Sequence, residues 1–225
     1  AQLIEHSDRF AVLTLPYLYR DTAHLWSVLD GPIGDSFLGP IGESGLIGLS
    51  WYDAGARSFY TTRPIHTLDD LAGLNIRVQE AAYMEDMIRA LGAVSKATPY
   101  SLVYPNLSAG TVDGAENNWP SYVASQHYKI AKYVLLDEHV RIPEMQIISQ
   151  KTAETLPQDY LEIIQDCAQE SARYERELWQ QCEAESMQTA VANGTVITHL
   201  SDAEKQRFQT ACQPIYQKYA HDHLY

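Results

Sequence analysis

Along the first 55 residues, apolar positions come in short runs broken by turn residues. "FAVLTLPYLY" reads as a buried strand ending at Pro16, "DTAHLWSVLDG" as a short helix capped by Asp21, and "GLIGLSWYD" as a second strand. "ARSFYTTRPI" has strand-like aromatics. "HTLDDLAGLNIRVQ" predicts a Thr67-led turn of helix closing on Gly73, then a strand through Ile76 and Val78. From Ala81 to Leu91 the apolar residues Met84, Met87, Ile88 and Leu91 share one helical face, and Gly92 ends the run. "SLVYPNLSAGTVDGAEN" predicts a short helix, interrupted near Pro105, leading into a strand. "AKYVLL" and "MQIISQ" read as further strands.

The texture then changes. Pro157 to Asn193 carries one helical signature, with apolar positions at Leu161, Ile164, Ala168, Ala172, Leu178, Cys182 and Ala190. That length exceeds an ordinary globular helix, so the helix is expected to cross more than one structural unit. A last helix is capped by Ser201.

Composition narrows the function classes. The 225 residues allow one large or two small domains with real cores. A net charge of −13, with no basic run, disfavours nucleic acid and membrane surfaces as partners. No apolar run is long enough to span a bilayer. "AQLIEHSDRF" lacks the build of a signal peptide, so the protein is cytoplasmic or its signal lies outside this sequence. Cys167, Cys182 and Cys212 fit neither a disulfide framework nor a zinc motif and read as helix-packing residues.

Candidate chemistry gathers on a few polar residues. Arg57 and Arg77 lie in strand-like contexts, where a guanidinium either forms a structural ion pair or grips a carboxylate bidentately. In "VDGAENNWPSY", Asn117, Asn118 and Glu116 suit sugar hydroxyls, or simply form a turn after Asp113-Gly114. Trp119 and Tyr100 could lie flat on a sugar ring or pack in the core. His221 and His223 read as a solvated tail, and His24, His66, His127, His139 and His199 as scattered surface or core residues. No nucleotide-binding or nucleophile motif is present, and no cofactor is expected. A sugar-acid isomerase or lyase using Glu116 or His127 as base would need a metal cluster or an acid-base pair that the sequence does not display.

Taken in order, "LPYLYRDTAHLWSVLDG", "WYDAGARSFYTTRPIHTLDDLAGLNIRVQ" and "GTVDGAENNWPSYVASQHYKIAKY" resemble the solute-binding proteins of TRAP (tripartite ATP-independent periplasmic) transporters. The resemblance implies an α/β, bilobed periplasmic-binding-protein-like fold: two β-sheet lobes flanked by helices, a hinge, and one long helix spanning both. It places residues 1–54 with about 143–182 in the N-terminal lobe, and 55–142 with about 183–225 in the C-terminal lobe. Approximately the first quarter of the family chain, part of the N-terminal lobe, is absent from this sequence. The implied role is non-enzymatic capture of an organic acid in the periplasm and its delivery to a membrane permease.

The family's carboxylate-clamping arginine falls on Arg77, its second arginine on Arg57, its ligand-binding asparagine on Asn117 and its pocket aromatic on Tyr100. Glu80 matches a further cleft position. "DGAENNWPSY" with "RVQEAAYMEDMIRALGA" and "HVRIPEMQIISQ" looks like the branch that binds hexuronates such as glucuronate and galacturonate, with Asn118, Glu116 and Glu144 completing the polar set. A C4-dicarboxylate, a sialic acid or another organic acid is the rival ligand.

Overall fold

A computed structural model describes residues 2–220. Its strands are β1 (Gly39–Pro40), β2 (Leu46–Tyr52), β3 (Ala56–Thr61), β4 (Asn75–Val78), β5 (Val94–Ala97), β6 (Gly114–Asn117), β7 (Tyr133–Arg141), β8 (Glu144–Ser149) and β9 (Val196–His199). They form two sheets in two compact units, both α/β in content. One unit holds residues 2–14 with Leu18–Gly55 and Arg141–Gln181; the other holds Leu15–Tyr17, Ala56–Val140 and residues 182–220.

The first unit has an antiparallel sheet in the order β1-β2-β8. Phe10, Leu13, Leu25, Leu29 and Trp51 form its core. Helix Thr22–Leu29 starts where the sequence places it, because the Asp21 carboxylate accepts the His24 N–H at 2.7 Å. "FAVLTLPYLY" is not a strand: Asp8–Thr14 winds as a 3-10 helix, and Tyr17 takes a left-handed backbone with φ 59°. Phe10, Leu13 and Thr14 are buried from that helix, and a short apolar run does not say by which geometry it is buried.

The second unit has a mixed sheet in the order β5-β4-β6-β3-β7-β9. β4 runs parallel to β5 and to β6, β3 is antiparallel to β6, and β7 is parallel to β9. Helix Ala82–Ala90 connects β4 to β5 and buries Met84, Met87 and Ile88 as its periodicity predicts. After β5 the strand order reverses across β4 to β6, and such a reversal opens a crevice at the carboxyl ends of the strands. Gly114 opens β6 because a Cβ there would meet the Tyr60 carbonyl oxygen at 2.5 Å.

Other departures have local causes. Pro105 does not interrupt helix Val103–Ala109; it lies in the first turn, where its missing N–H removes no helical bond. The long helix Gln158–Ala192 is continuous, and the division between units falls between its residues Gln181 and Cys182. Ala168, Ala172 and Ala190 are buried as expected, but Leu178 is 44% exposed, and Cys167 and Cys182 are exposed as well; of the three cysteines only Cys212 packs inside. The Ser201-capped helix ends at Ala211, and a second helix, Gln213–Tyr219, begins with proline in its first turn. Among the described residues no helix is long and apolar enough to cross a membrane. His221 and His223 lie outside the described residues.

Candidate functional site

Three parallel strands of the second unit end close together, and the polar residues singled out in the sequence, Glu144 excepted, lie near those ends. Arg77 lies one residue before the end of β4, followed by Glu80; Thr98 and Tyr100 follow β5; Glu116 and Asn117 end β6, and Asn118 caps the helix that follows. The stretch "GAENNWP" is therefore not a turn after Asp113-Gly114 but a strand end joined directly to a helix start. Asn118 Oδ1 accepts the Ser121 N–H at 2.9 Å, and Pro120 occupies the first turn of helix Trp119–Ala124.

The two arginines have different environments. Phe59 pairs with Glu116 across β3 and β6, so Arg57, two residues earlier on β3, reaches Glu116 diagonally. Arg57 Nε donates to Glu116 Oε2 at 2.5 Å and Nη2 to Oε1 at 2.9 Å, a bidentate ion pair. Nη2 also donates to the Glu116 carbonyl at 3.0 Å, and Nη1 to Asn117 Oδ1 at 2.9 Å. One of the five N–H groups of Arg57 has no partner among the described residues. A guanidinium only donates, so the Asn117 atom facing it is the oxygen, and the Asn117 amide nitrogen has no partner among the described residues.

Arg77 has no such partner. It is 2% exposed, and its only hydrogen bonds among the described residues go from Nε (2.9 Å) and Nη2 (2.6 Å) to the Thr98 carbonyl. No carboxylate among the described residues lies within ion-pair distance of it. Burial lowers its pKa, against the opposing pull of the Glu116 charge. The Tyr100 ring lies 5.9 Å from the Arg77 guanidinium carbon and is half-exposed; its hydroxyl bonds Ser125 Oγ and the Ser121 carbonyl. Glu80 is exposed and makes no hydrogen bond among the described residues, while Glu144 lies on β8 of the first unit.

A buried charge network missed by sequence reasoning stands behind Arg57. The His139 ring donates from Nδ1 to Asp137 Oδ2 at 2.9 Å and from Nε2 to Glu116 Oε2 at 3.4 Å. Both partners are carboxylates, so both ring nitrogens carry protons and the imidazole is cationic. Tyr17 donates its hydroxyl to the same Asp137 oxygen at 3.0 Å. Phe59 stacks on His139 with ring centroids 4.4 Å apart. Arg57 and His139 thus balance Glu116 and Asp137. The one signal in the sequence is Asp137 and His139 spaced two apart in a strand-like run.

The network makes folding pH-dependent. Burial works to raise the Glu116 pKa from its ordinary 4.5, but the Arg57 charge and the bond from His139 outweigh it and hold the carboxyl at about 2. Burial works to lower His139 from 6.5, but the Asp137 charge and hydrogen bond, with Glu116, lift it to about 9. A depressed carboxyl contributes stability that is whole above 4.5 and lost as pH falls through about 2; a raised histidine contributes stability that is whole below 6.5 and lost as pH rises through about 9. Those two contributions are both whole between pH 4.5 and 6.5, but buried His127, whose pKa is lowered to about 4, removes stability as pH falls below 6.5. Stability toward urea is therefore expected to peak near pH 6.5 and to fall by on the order of 3 kcal/mol as pH rises through about 9. A urea midpoint that does not fall as pH rises from the peak through about 9 would show that His139 is not held as a cation.

Among the described residues no group of three His, Cys, Asp or Glu side chains is placed to hold a metal ion. A buried cation without a counter-ion and an amide without a partner among the described residues, beside an aromatic ring and at the carboxyl ends of parallel strands, can bind an anion that also offers hydrogen-bonding groups.

Comparison with known proteins agrees in fold and family. The bacterial extracellular solute-binding protein family 7 (DctP) pattern matches residues 1–222. A "solute-binding protein" of Chromohalobacter salexigens is 36% identical over 213 residues, covering 94% of this chain and 63% of its own length. This chain spans less than two thirds of the length of the curated relatives it matches. A crystal structure of a TRAP periplasmic solute-binding protein from Bradyrhizobium sp. BTAi1, in complex with α/β-D-galacturonate, superposes with a TM-score of 0.92 at 41% identity, covering 99% of this chain and 74% of that one. Another, from Pseudomonas putida F1 with bound D-glucuronate, gives a TM-score of 0.92 at 31% identity, covering 97% and 71%. By sequence and by fold, the chain belongs to the DctP family of bacterial extracellular solute-binding proteins, family 7.

Proposed function

We propose that this chain serves in a TRAP transporter as a periplasmic binding protein that captures a hexuronate, such as D-galacturonate or D-glucuronate, and passes it unchanged to the membrane permease. The observation that carries this reading is Arg77, a buried guanidinium whose only acceptor among the described residues is a backbone carbonyl. Such a cation favours an anion, because the pair gains more in a low-dielectric site than in water. Of the two arginines near the strand ends, Arg77 alone is without a carboxylate partner among the described residues, which fits a ligand with a single carboxylate. The Asn117 amide suits ring hydroxyls, with Arg57 orienting it through Oδ1. Similar proteins were crystallised with galacturonate and glucuronate. We read the two compact units as the two lobes of such a protein; the roles of Glu80 and Glu144 rest on the family resemblance alone.

Thermal melting and titration calorimetry against galacturonate, glucuronate, succinate and sialic acid test the reading. At ligand near 100 times Kd, stabilisation of about 2.7 kcal/mol is expected with the uronates, or roughly 5–10 °C in Tm. Binding of succinate or sialic acid in place of the uronates would sink the hexuronate assignment. No shift with any of the four acids would sink the anion site itself.

A further inference from the structure

His127 looks like an ordinary core histidine in the sequence, yet its surroundings give it an unused donor. The residue is 1% exposed, and Gln126 before it takes a left-handed backbone, φ 58°, that L side chains rarely adopt. Its ring is packed among three tyrosines: Tyr60 with centroids 5.5 Å apart, Tyr100 at 6.1 Å edge-on, and Tyr104 at 6.4 Å. Tyr100 is also the ring 5.9 Å from the Arg77 guanidinium carbon, so one aromatic wall serves both residues.

The proton on this imidazole can be placed by counting donors. Tyr60 is buried, and its hydroxyl has one hydrogen-bond partner among the described residues, His127 Nδ1 at 2.8 Å. A buried O–H must donate, so Nδ1 accepts. Burial and the Arg77 charge bring the His127 pKa down to about 4, so the ring is neutral at neutral pH and its single proton is on Nε2. That N–H has no hydrogen-bond partner among the described residues. The Nε2 atom is not among the sealed, unpartnered polar atoms, so it is open to a ligand or a water, and it shares its aromatic wall with an arginine that lacks a counter-ion among the described residues.

We propose that the Nε2–H of His127 is a further donor to the anion held by Arg77, directly or through one water, and that Tyr60 fixes the proton there. The inference rests on the carboxylate reading of Arg77 given above and extends it to a residue that helps decide which anions fit. A neutral donor suits this position, since a second cation beside Arg77 would repel it.

Two measurements decide it. In long-range proton–nitrogen NMR spectra at neutral pH, His127 is expected to show a protonated Nε2 and a bare Nδ1, with the Nε2 signal moving on addition of galacturonate. The double variant Tyr60→Phe/His127→Phe removes both ends of the buried hydrogen bond while keeping both rings, so it is expected to melt close to the parent and to bind galacturonate about tenfold more weakly. A proton on Nδ1, a cationic ring, or a double variant that binds as tightly as the parent overturns the proposal. Should the double variant not fold, the parent's titration decides: an Nε2 signal unmoved by bound galacturonate overturns it. If the parent binds no carboxylate, the proposed function falls and this role with it. Binding that depends on Arg77 with an unmoved His127 removes this role alone.

Discussion

A Glu116→Ala protein is expected to unfold at a markedly lower urea concentration than the parent near pH 6, with a loss of about 3–5 kcal/mol. The carboxylate is 0% exposed and accepts two side-chain hydrogen bonds from Arg57 and one from His139. Removing it leaves two buried cations facing Asp137 alone, and the desolvation of Arg57 is no longer offset. Much of the loss is therefore the cost of an orphaned partner rather than the worth of the bond. The double variant Arg57→Met/Glu116→Leu tests that distinction, because replacing a buried pair by apolar groups of similar volume is often neutral or stabilising. It should recover most of the loss. A single-variant loss below about 1 kcal/mol would mean that solvent reaches Arg57 and that the network is not sealed.

Much of this arrangement is legible in the sequence where local chemistry decides it. The N-caps Asp21 and Ser201, the Thr67 to Asp70 capping box and the spacing of Met84, Met87 and Ile88 mark element boundaries and faces by interactions within a few residues. The clustering of Arg57, Glu116, Asn117 and Asn118 is less local, since it depends on β3 pairing with β6 across about 60 positions. The two buried histidines are the least visible. His127 and His139 each follow a non-glycine residue in the left-handed region, Gln126 and Glu138, and nothing in residue type announces that backbone. Their partners, Tyr60 and Asp137 with Glu116, come from other strands or from a strand whose course is set by the whole sheet. "FAVLTLPYLY" fails for a related reason: its apolar residues are buried as the pattern requires, but in a 3-10 helix, and burial alone does not choose the backbone.

Arg77→Met should separate binding from stability more sharply than any other single change. The guanidinium is buried with no carboxylate partner among the described residues, so in the free protein its desolvation is unrepaid except by one carbonyl. Methionine follows the same path with an apolar chain and leaves only the Thr98 carbonyl without its donor. Urea stability is expected to stay within about 1 kcal/mol of the parent, or to rise. Galacturonate affinity is expected to fall by at least about 100-fold, since the ligand would lose a charged, hydrogen-bonded partner worth about 3 kcal/mol or more. Arg77→Lys keeps the charge but loses the planar fork, so an intermediate loss is expected. Calorimetry gives the affinities and urea unfolding the stabilities on the same preparations. Affinity unchanged in Arg77→Met would remove Arg77 from the ligand site, whereas a protein that binds weakly and is also destabilised by several kcal/mol would make the arginine a structural residue whose neighbours, not the ligand, require its charge.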